Sequence, residues 1–497
     1  MVAAAQQANR MSERPPLPLS VRSHRDTRGL EVTVPKPSYP TRCLRHLRGL
    51  DIAPRASDTG QEAKVKLNIA ISGAGLGGLA SAIALRRRGH SVTVYEQVVE
   101  LKEVGAGIQI PPNSSRLLLK WGVKFGNTVV QPCDINFRRW ENGKIIGLTK
   151  LVPDFSRSFD APYYVIHRSD FHKAMAQQAR DLGVVIECGK RVTDYDLEAP
   201  SLTMEDGNVY KADLIVAADG VRSLAREKIL GDDNILPRPT GFAAYRATID
   251  THRMRDDPEV AWILKEPALN LWIGPDRHVM TYGVANGERF NMVLSHPEHR
   301  DPSTWPIADR HADCADMRRH FAEWDPRLTK IIDMITDTKK WPLLSGARLP
   351  RWTARSGKAV MLGDAAHAML PYMSQGAAMA VEDAAALAEL LSRLDPDSPE
   401  PVPKQLSRVL KVFEGVRIAR AGQMQDASVL NGTIWHYEDG PEQQARDEAM
   451  RPEVEGRFFR ESPNQWSDPV TQEWCYAYDA EVAAAEAWET RILASRL

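Results

Sequence analysis

The chain has 497 residues, long for a single hydrophobic core, so two packed lobes are expected. With 43% hydrophobic and 26% charged residues and a formal net charge of -1, it gives no general electrostatic reason to bind nucleic acid or an anionic membrane. No window approaches about eighteen consecutive apolar residues, which argues against a membrane span, and five scattered cysteines without CxxC spacing read as reduced intracellular thiols, neither disulfide frame nor zinc site.

In chain order, residues 1–65 come first. The first fifty carry nine Lys/Arg against three acids, with prolines in RPPLPL and PKPSYP and without the apolar core of a signal peptide. They are expected to be a disordered tail, residues upstream of a start near Met11 or later, or a transit-like extension, although the last lacks a clear apolar stripe.

Order begins at Lys66. KLNIAISGAGLGGLASAIALRRRGHSVTVYEQ predicts a buried strand over 67–72, a glycine turn, a helix to about residue 88, Gly89 as its stop, and a second strand over 91–95. Gly73, Gly75 and Gly78 form GxGxxG. The first permits the tight turn, the second lets backbone approach a pyrophosphate, and the third lets helix and strand pack closely. Glu96 ends the second strand, 18 residues after Gly78, where a carboxylate accepts ribose hydroxyls. This unit predicts a dinucleotide site without separating NAD from FAD.

KADLIVAADGVRSLARE then predicts a strand over 214–218 running into Asp219-Gly220, by itself an ordinary turn. The runs GFAAYRATI, EVAWIL, LNLWIG, HVMTYGVA and FNMVLS read as short strands of an antiparallel sheet, followed by a helical stretch over about 309–336. Arg246 and Tyr282 stand out there. A strand arginine among apolar neighbours needs an anionic partner if it points inward. A strand over 359–362, the Gly363-Asp364 turn and an Ala-rich helix over 375–391 follow. Beyond a helical region through about residue 427, an aromatic, Ala-rich tail could pack on the body, cover a substrate entrance or join a second copy.

These three motifs, in this order, resemble the group A flavoprotein aromatic hydroxylases. These are single-component FAD monooxygenases such as para-hydroxybenzoate and salicylate hydroxylase. Gly73-Ala74-Gly75-Leu76-Gly77-Gly78 matches the family's adenosine-binding motif, Asp219-Gly220-Val221-Arg222-Ser223 its Asp-Gly motif, and Gly363-Asp364-Ala365-Ala366-His367 its Gly-Asp motif. EVGAGIQIPPNSSRLLLKWG and GDAAHAMLPYMSQGAAMA are similar to the salicylate hydroxylase-like branch, which includes fungal enzymes acting on polyketide phenols and indole alkaloids. The resemblance spans about residues 66–420.

The resemblance implies that Glu96 holds the ribose and that Gly107 and Gln109 line the flavin. It further implies that Arg168 contacts the phosphate or ribityl region, that Asp219 serves FAD and the transient reductant, and that Asp364 bonds ribityl or ribose hydroxyls. Gly376 and Ala377 are to present backbone N–H groups to the flavin ring. By the same resemblance, Arg246 is to stabilise substrate phenolate or polarise the flavin hydroperoxide, and Tyr282 to orient the substrate hydroxyl. His367 reads as scaffolding rather than a base, and Glu382-Asp383 as helix packing rather than two-carboxylate chemistry.

The expected fold is α/β, a Rossmann-like FAD-binding domain interleaved with an antiparallel-sheet substrate domain, plus a helical C-terminal region. The expected divisions are 1–65, 66–240, 241–340, 341–430 and 431–497. The implied activity is hydroxylation of a small aromatic substrate with O₂ through the flavin C4a-hydroperoxide. The resemblance implies FAD as the cofactor and NAD(P)H, NADPH favoured, as a briefly bound co-substrate, and the sequence's lack of a second GxGxxG after a strand fits that. The alternatives are an indole or alkene epoxidase, or a flavin-binding redox protein without hydroxylation. No metal, nucleic acid or membrane span is expected. The expected state is a monomer or homodimer, in the cytoplasm, or in mitochondria if the Arg-rich N-terminus is a transit peptide.

Overall fold

Short runs of β-branched and alanine residues, apolar on both faces, suit the strands of a sheet covered on two sides. Three such runs and two more polar, less buried ones form one parallel sheet in the order Ala359–Met361, Leu214–Ala217, Asn68–Ser72, Ser91–Glu96, Val185–Cys188, the last two being the more polar. Because the strands are parallel, the turns that follow three of them, at Gly73, Asp219-Gly220 and Gly363-Asp364, emerge on the same edge. That edge is where open α/β sheets hold ligands.

The computed structural model describes residues 20–25, 31–36, 62–101, 106–301, 305 and 312–496. The expectation for residues 1–65 lies mostly outside these. Before residue 62 only an antiparallel pair is described, Ser20–Arg25 with Glu31–Lys36.

A second sheet of seven strands runs in the order Lys339–Ser345, Arg238–Asp250, Arg289–Pro297, Arg277–Val284, Leu269–Gly274, Asp134–Arg139, Ile145–Lys150. Its pairings are antiparallel except that of Leu269–Gly274 with Asp134–Arg139. The expected strand EVAWIL is not one: Ala261–Leu264 is a 3₁₀ turn. Its Ile263 fills the core under the outer face of the sheet, and a single turn seats that side chain there without a ladder partner. Helices Cys314–His320 and Pro326–Asp333 cover that face, burying Met317, Phe321, Leu328 and Ile331 against Tyr245, Met292 and Leu294.

Helix Gly376–Leu391 consists mostly of strong helix formers and is buried on nearly every side. Two of its three acids, Glu382 and Asp383, are fully buried with no water to solvate them, so the fold must supply partners. The long helix Val402–Trp435 brings them. Arg417 reaches Glu382 Oε2 at 2.7 Å and Asp383 Oδ1 at 2.8 Å, and Arg420 Nη2 reaches Glu382 Oε1 at 3.1 Å. Asn113 donates to Glu382 at 2.7 Å, and His367 Nε2 lies 2.6 Å from Asp383 Oδ2. Burial alone would raise the Asp383 carboxyl, yet His367 and Arg417 hold it down at about 2. Arg420 also donates to the carbonyls of Trp474 and Cys475 and lies 4.2 Å from the Tyr478 ring, which ties the C-terminal segment to the same cluster.

Removing one member of this cluster strands buried charge. Arg417→Met is expected to lower the unfolding free energy by about 3–5 kcal/mol in urea titrations; a loss under about 1 kcal/mol would show that the carboxylates find other partners.

Candidate functional site

The three turns at the sheet edge and the inner face of the second sheet enclose a cavity of about 340 Å³. On the turn side its wall is Gly75 to Gly77, Gly220, Gly363, Asp364 and Gln375 to Ala377. Gly73 has φ +98°, and a Cβ there would sit 2.5 Å from the Ala218 carbonyl oxygen. A Cβ on Gly78 would sit 1.9 Å from the Gly73 oxygen, whereas one on Gly75 would meet nothing within 4 Å. Two glycines therefore close the turn and the third opens onto empty space, the division of labour expected for a backbone that approaches a ligand.

Two helices begin at this wall, Leu76–Arg87 and Gly376–Leu391, and neither has a side-chain cap. Their first N–H groups and positive dipole ends suit phosphate oxygens and an electron-rich ring edge. Asp364 is exposed to the cavity and has no hydrogen-bond partner among the described residues, so its carboxylate is free to accept hydroxyls. Asp383 Oδ2 accepts the Gly363 amide at 3.1 Å, which connects this turn to the buried ion cluster. Open glycine backbone, two uncapped helix ends and one unpaired carboxylate fit the phosphates and hydroxyls of FAD.

Not every expected cofactor residue lines this cavity. Glu96 lies behind the glycine turn, its Oε2 accepting from Ala74 N–H at 2.7 Å. Asp219 turns its Oδ2 to Tyr195 and to the Ala225 amide, both at 3.1 Å, while its Oδ1 is buried without a partner. Gly107, Gln109 and Arg168 do line the cavity, on and just after the strand pair Gly107–Ile110 and Tyr164–His167.

The opposite wall follows from strand register. Arg246 pairs with Val293 and Val293 with Met280; one step along, Asn291 pairs with Tyr282, and one step back Ser295 pairs with His278. Side chains alternate across a sheet, so Arg246, Val293, Met280, Tyr282 and His278 share the cavity face. Gly107 is the point where the two walls touch. Its N–H donates to Asn291 Oδ1 at 2.6 Å, and a Cβ there would lie 2.4 Å from the Tyr282 ring.

Arg246 is half-buried, and its guanidinium has no acceptor among the described residues; Nε is buried outright. Burial lowers its pKa, Tyr282 opposes that, and nearby Arg168 adds to it. Tyr282 is 3% exposed and its hydroxyl has no partner among the described residues; burial pushes the phenol up. A guanidinium without an acceptor, resting 5.9 Å from the Trp341 ring, and a hydroxyl without a hydrogen-bond partner, both among the described residues and facing one chamber, form a receptor for an anionic or hydroxylated group.

Sequence reasoning missed the rest of this chamber. Met369, Leu370 and Tyr372 come from the segment between the Gly-Asp turn and its helix, Trp435 from the end of the long helix, and Trp466 from the C-terminal segment. His278 sits among them, its Nδ1 2.8 Å from His436 Nε2. Only the alternation His278, Met280, Tyr282 could have indicated its face. His367, the titratable group nearest the motifs, instead lies buried on Asp383, as its scaffold reading expects.

Burial, with Arg446 nearby, lowers His436 to about 3, and burial with His436 holds His278 well below its ordinary value. Unfolded histidines titrate near about 6.5, so these two contribute stability that is complete above that pH and is lost as pH falls toward the folded values. Melting temperature should therefore decline from about pH 6.5 to about pH 4, less steeply in His436→Asn. A pH-independent melt across that window would contradict this.

A family model described as an FAD binding domain matches residues 66–394. The chain is 36% identical over 425 residues to the FAD-dependent monooxygenase OpS4 of Beauveria bassiana (strain ARSEF 2860), covering 85% of this chain and 97% of that one. It is 31% identical over 418 residues to 3-hydroxybenzoate 6-hydroxylase of Polaromonas naphthalenivorans (strain CJ2), covering 83% and 96%. Among solved structures, a salicylate hydroxylase substrate complex superposes with a TM-score of 0.68 at 25% identity, over 86% of this chain and 98% of that one. With that match running through all three turns that wall the cavity, the chain belongs to the FAD-dependent monooxygenases of the group A flavoprotein hydroxylase family.

Proposed function

We propose that the protein hydroxylates a phenolic aromatic ring that lies between the flavin-binding turns and the sheet face carrying Arg246 and Tyr282. The observation that carries this reading is the Arg246 guanidinium, half-buried, facing the cavity and without an acceptor among the described residues. Bound FAD would supply the redox chemistry, taking electrons from NAD(P)H, with NADPH the favoured donor, and O₂ as the source of the inserted oxygen atom.

The chain's own residues do the remainder. Gly75, Gly376 and Ala377 offer backbone N–H groups to the cofactor, and Asp364 accepts its hydroxyls. Arg168 reaches the cofactor's phosphate or ribityl region, Gly107 and Gln109 border the flavin, and Glu96 and Asp219 serve the parts beyond this cavity. Arg246 offsets the charge of a substrate phenolate, and as a guanidinium it keeps its own charge at any working pH. An ionised ring is more electron-rich and attacks an electrophilic oxygen more readily. Tyr282 orients the ring by a hydrogen bond to its oxygen. Met280, Leu370, Tyr372, Trp435 and Trp466 exclude water and pack the ring, which limits loss of reducing equivalents to unproductive oxygen reduction.

Arg246→Met should retain its yellow flavin yet lose product formation by about a hundredfold or more, since it removes one electrostatic contact made in the reacting state. Product analysis by mass spectrometry over a panel of phenols checks this, and unchanged turnover would take Arg246 out of the site. Gly107→Ala should displace the Tyr282 ring and lower kcat by up to about a hundredfold with flavin still bound. A crystal structure of that variant with Tyr282 in place would contradict the steric argument.

A further inference from the structure

Turning a buried phenol into a phenolate releases a proton, and a chamber that excludes water gives it no obvious exit. His278 lies on the strand Arg277–Val284, 4% exposed, in the wall of the cavity. Its Nδ1 is held 2.8 Å from His436 Nε2, which leaves Nε2 for the cavity, without a protein partner among the described residues. His436 follows the last turn of the helix Val402–Trp435 and is partly exposed; its Nδ1 has no partner among the described residues. The two rings are 20° from coplanar with centroids 5.1 Å apart, a separation equal to the N–N contact plus two ring radii. The bond therefore runs edge to edge in the ring planes, as transfer between imidazoles requires. Phe242 lies over His436, and Tyr372 and Trp435 set their edges against His278. The charged neighbour, Arg446, is engaged by Asp447 and by the Ile434 carbonyl.

We propose that His278 and His436 form a two-imidazole relay that carries the proton of a substrate hydroxyl from the cavity to the protein surface. The proposal rests on the phenol reading above. The substrate O–H proton moves to His278 Nε2, the His278 Nδ1 proton moves to His436 Nε2, and the His436 Nδ1 proton passes to bulk water. One proton leaves, no electrons move, and the oxygen keeps the bonding pair as phenolate. Burial disfavours an imidazolium at His278 and at His436 alike, so the hops are concerted and neither ring holds a net charge. Reprotonation of the phenolic product runs the relay backward and restores both tautomers. His436 touches no substrate and acts through His278.

The test uses the full, flavin-loaded chain with its flavin reduced under anaerobic conditions, mixed by stopped flow with 4-nitrophenol below the pH at which the free phenol ionises. Appearance of bound phenolate reports proton loss, and tryptophan quenching by 4-nitroanisole, which has no proton to lose, reports the intact chamber. His436→Ala should slow phenolate formation by about tenfold or more, bind 4-nitroanisole as the parent does, and regain rate when imidazole is added. Phenolate formation at the parent rate would overturn the relay and leave the proposed function standing. So would a slowed rate that imidazole does not restore. Absence of bound phenolate in the parent enzyme would instead overturn the phenol reading, and the relay with it.

Discussion

A helix buried on nearly every side and carrying two adjacent acids imposes a demand that the rest of the fold answers. Glu382 and Asp383 are 0% exposed, and Arg417 and Arg420 bring two opposing charges, with Asn113 and His367 filling remaining hydrogen-bond positions. Desolvating four charges is expensive, and only this degree of mutual satisfaction makes it tolerable. The cluster also sets geometry at the site. Asp383 holds the Gly363 amide, Asn113 bonds Gln375 at 2.9 Å, and so both ends of the segment from the Gly-Asp turn to its helix are fixed from below. Arg420 extends that order to the C-terminal segment.

The seven-stranded sheet assigns its two faces to different tasks. Tyr245, Met292 and Leu294 belong to a sealed apolar core, while Arg246, Val293 and Met280 face the cavity. Since side-chain direction alternates with period two, a one-residue slip of any of these strands would exchange a core residue for a site residue. The core thereby holds the register on which the site depends. The contact of Gly107 with Tyr282 and Asn291 then fixes how closely the sheet approaches the flavin-binding turns.

The matched family region ends at residue 394, yet Trp435, His436 and Trp466 lie beyond it and contribute to the chamber wall or to the residue behind it. The part of the molecule that holds the cofactor and the part that shapes the far end of the chamber thus come from different stretches of chain. Such an arrangement lets that end of the chamber vary while the family-matched region stays as it is.

Local signals carry the first of these parts. The spacing of Gly73, Gly75 and Gly78 states its purpose in eleven or so neighbouring residues, because turn geometry and helix start are local properties. The apolar strands and the Ala-rich helix are equally legible, and the alternation in HVMTYGVA places Tyr282 on a definite face. EVAWIL shows the limit: six residues of high strand propensity form a 3₁₀ turn because the core needs Ile263 there. The partners of Glu382 and Asp383 lie about a helix away, and the partner of His278 is 158 residues distant. The same holds for Trp466, which nothing in its own neighbourhood marks as a wall of the cavity. The sequence by itself determined where the glycine turns fall between strand and helix and how side chains alternate along the strands, since both are set within a few residues. Only the tertiary structure decided which charges neutralise each other, which guanidinium is left without a partner, and which histidine meets another. Those are properties of packing between distant segments, and no local pattern encodes them.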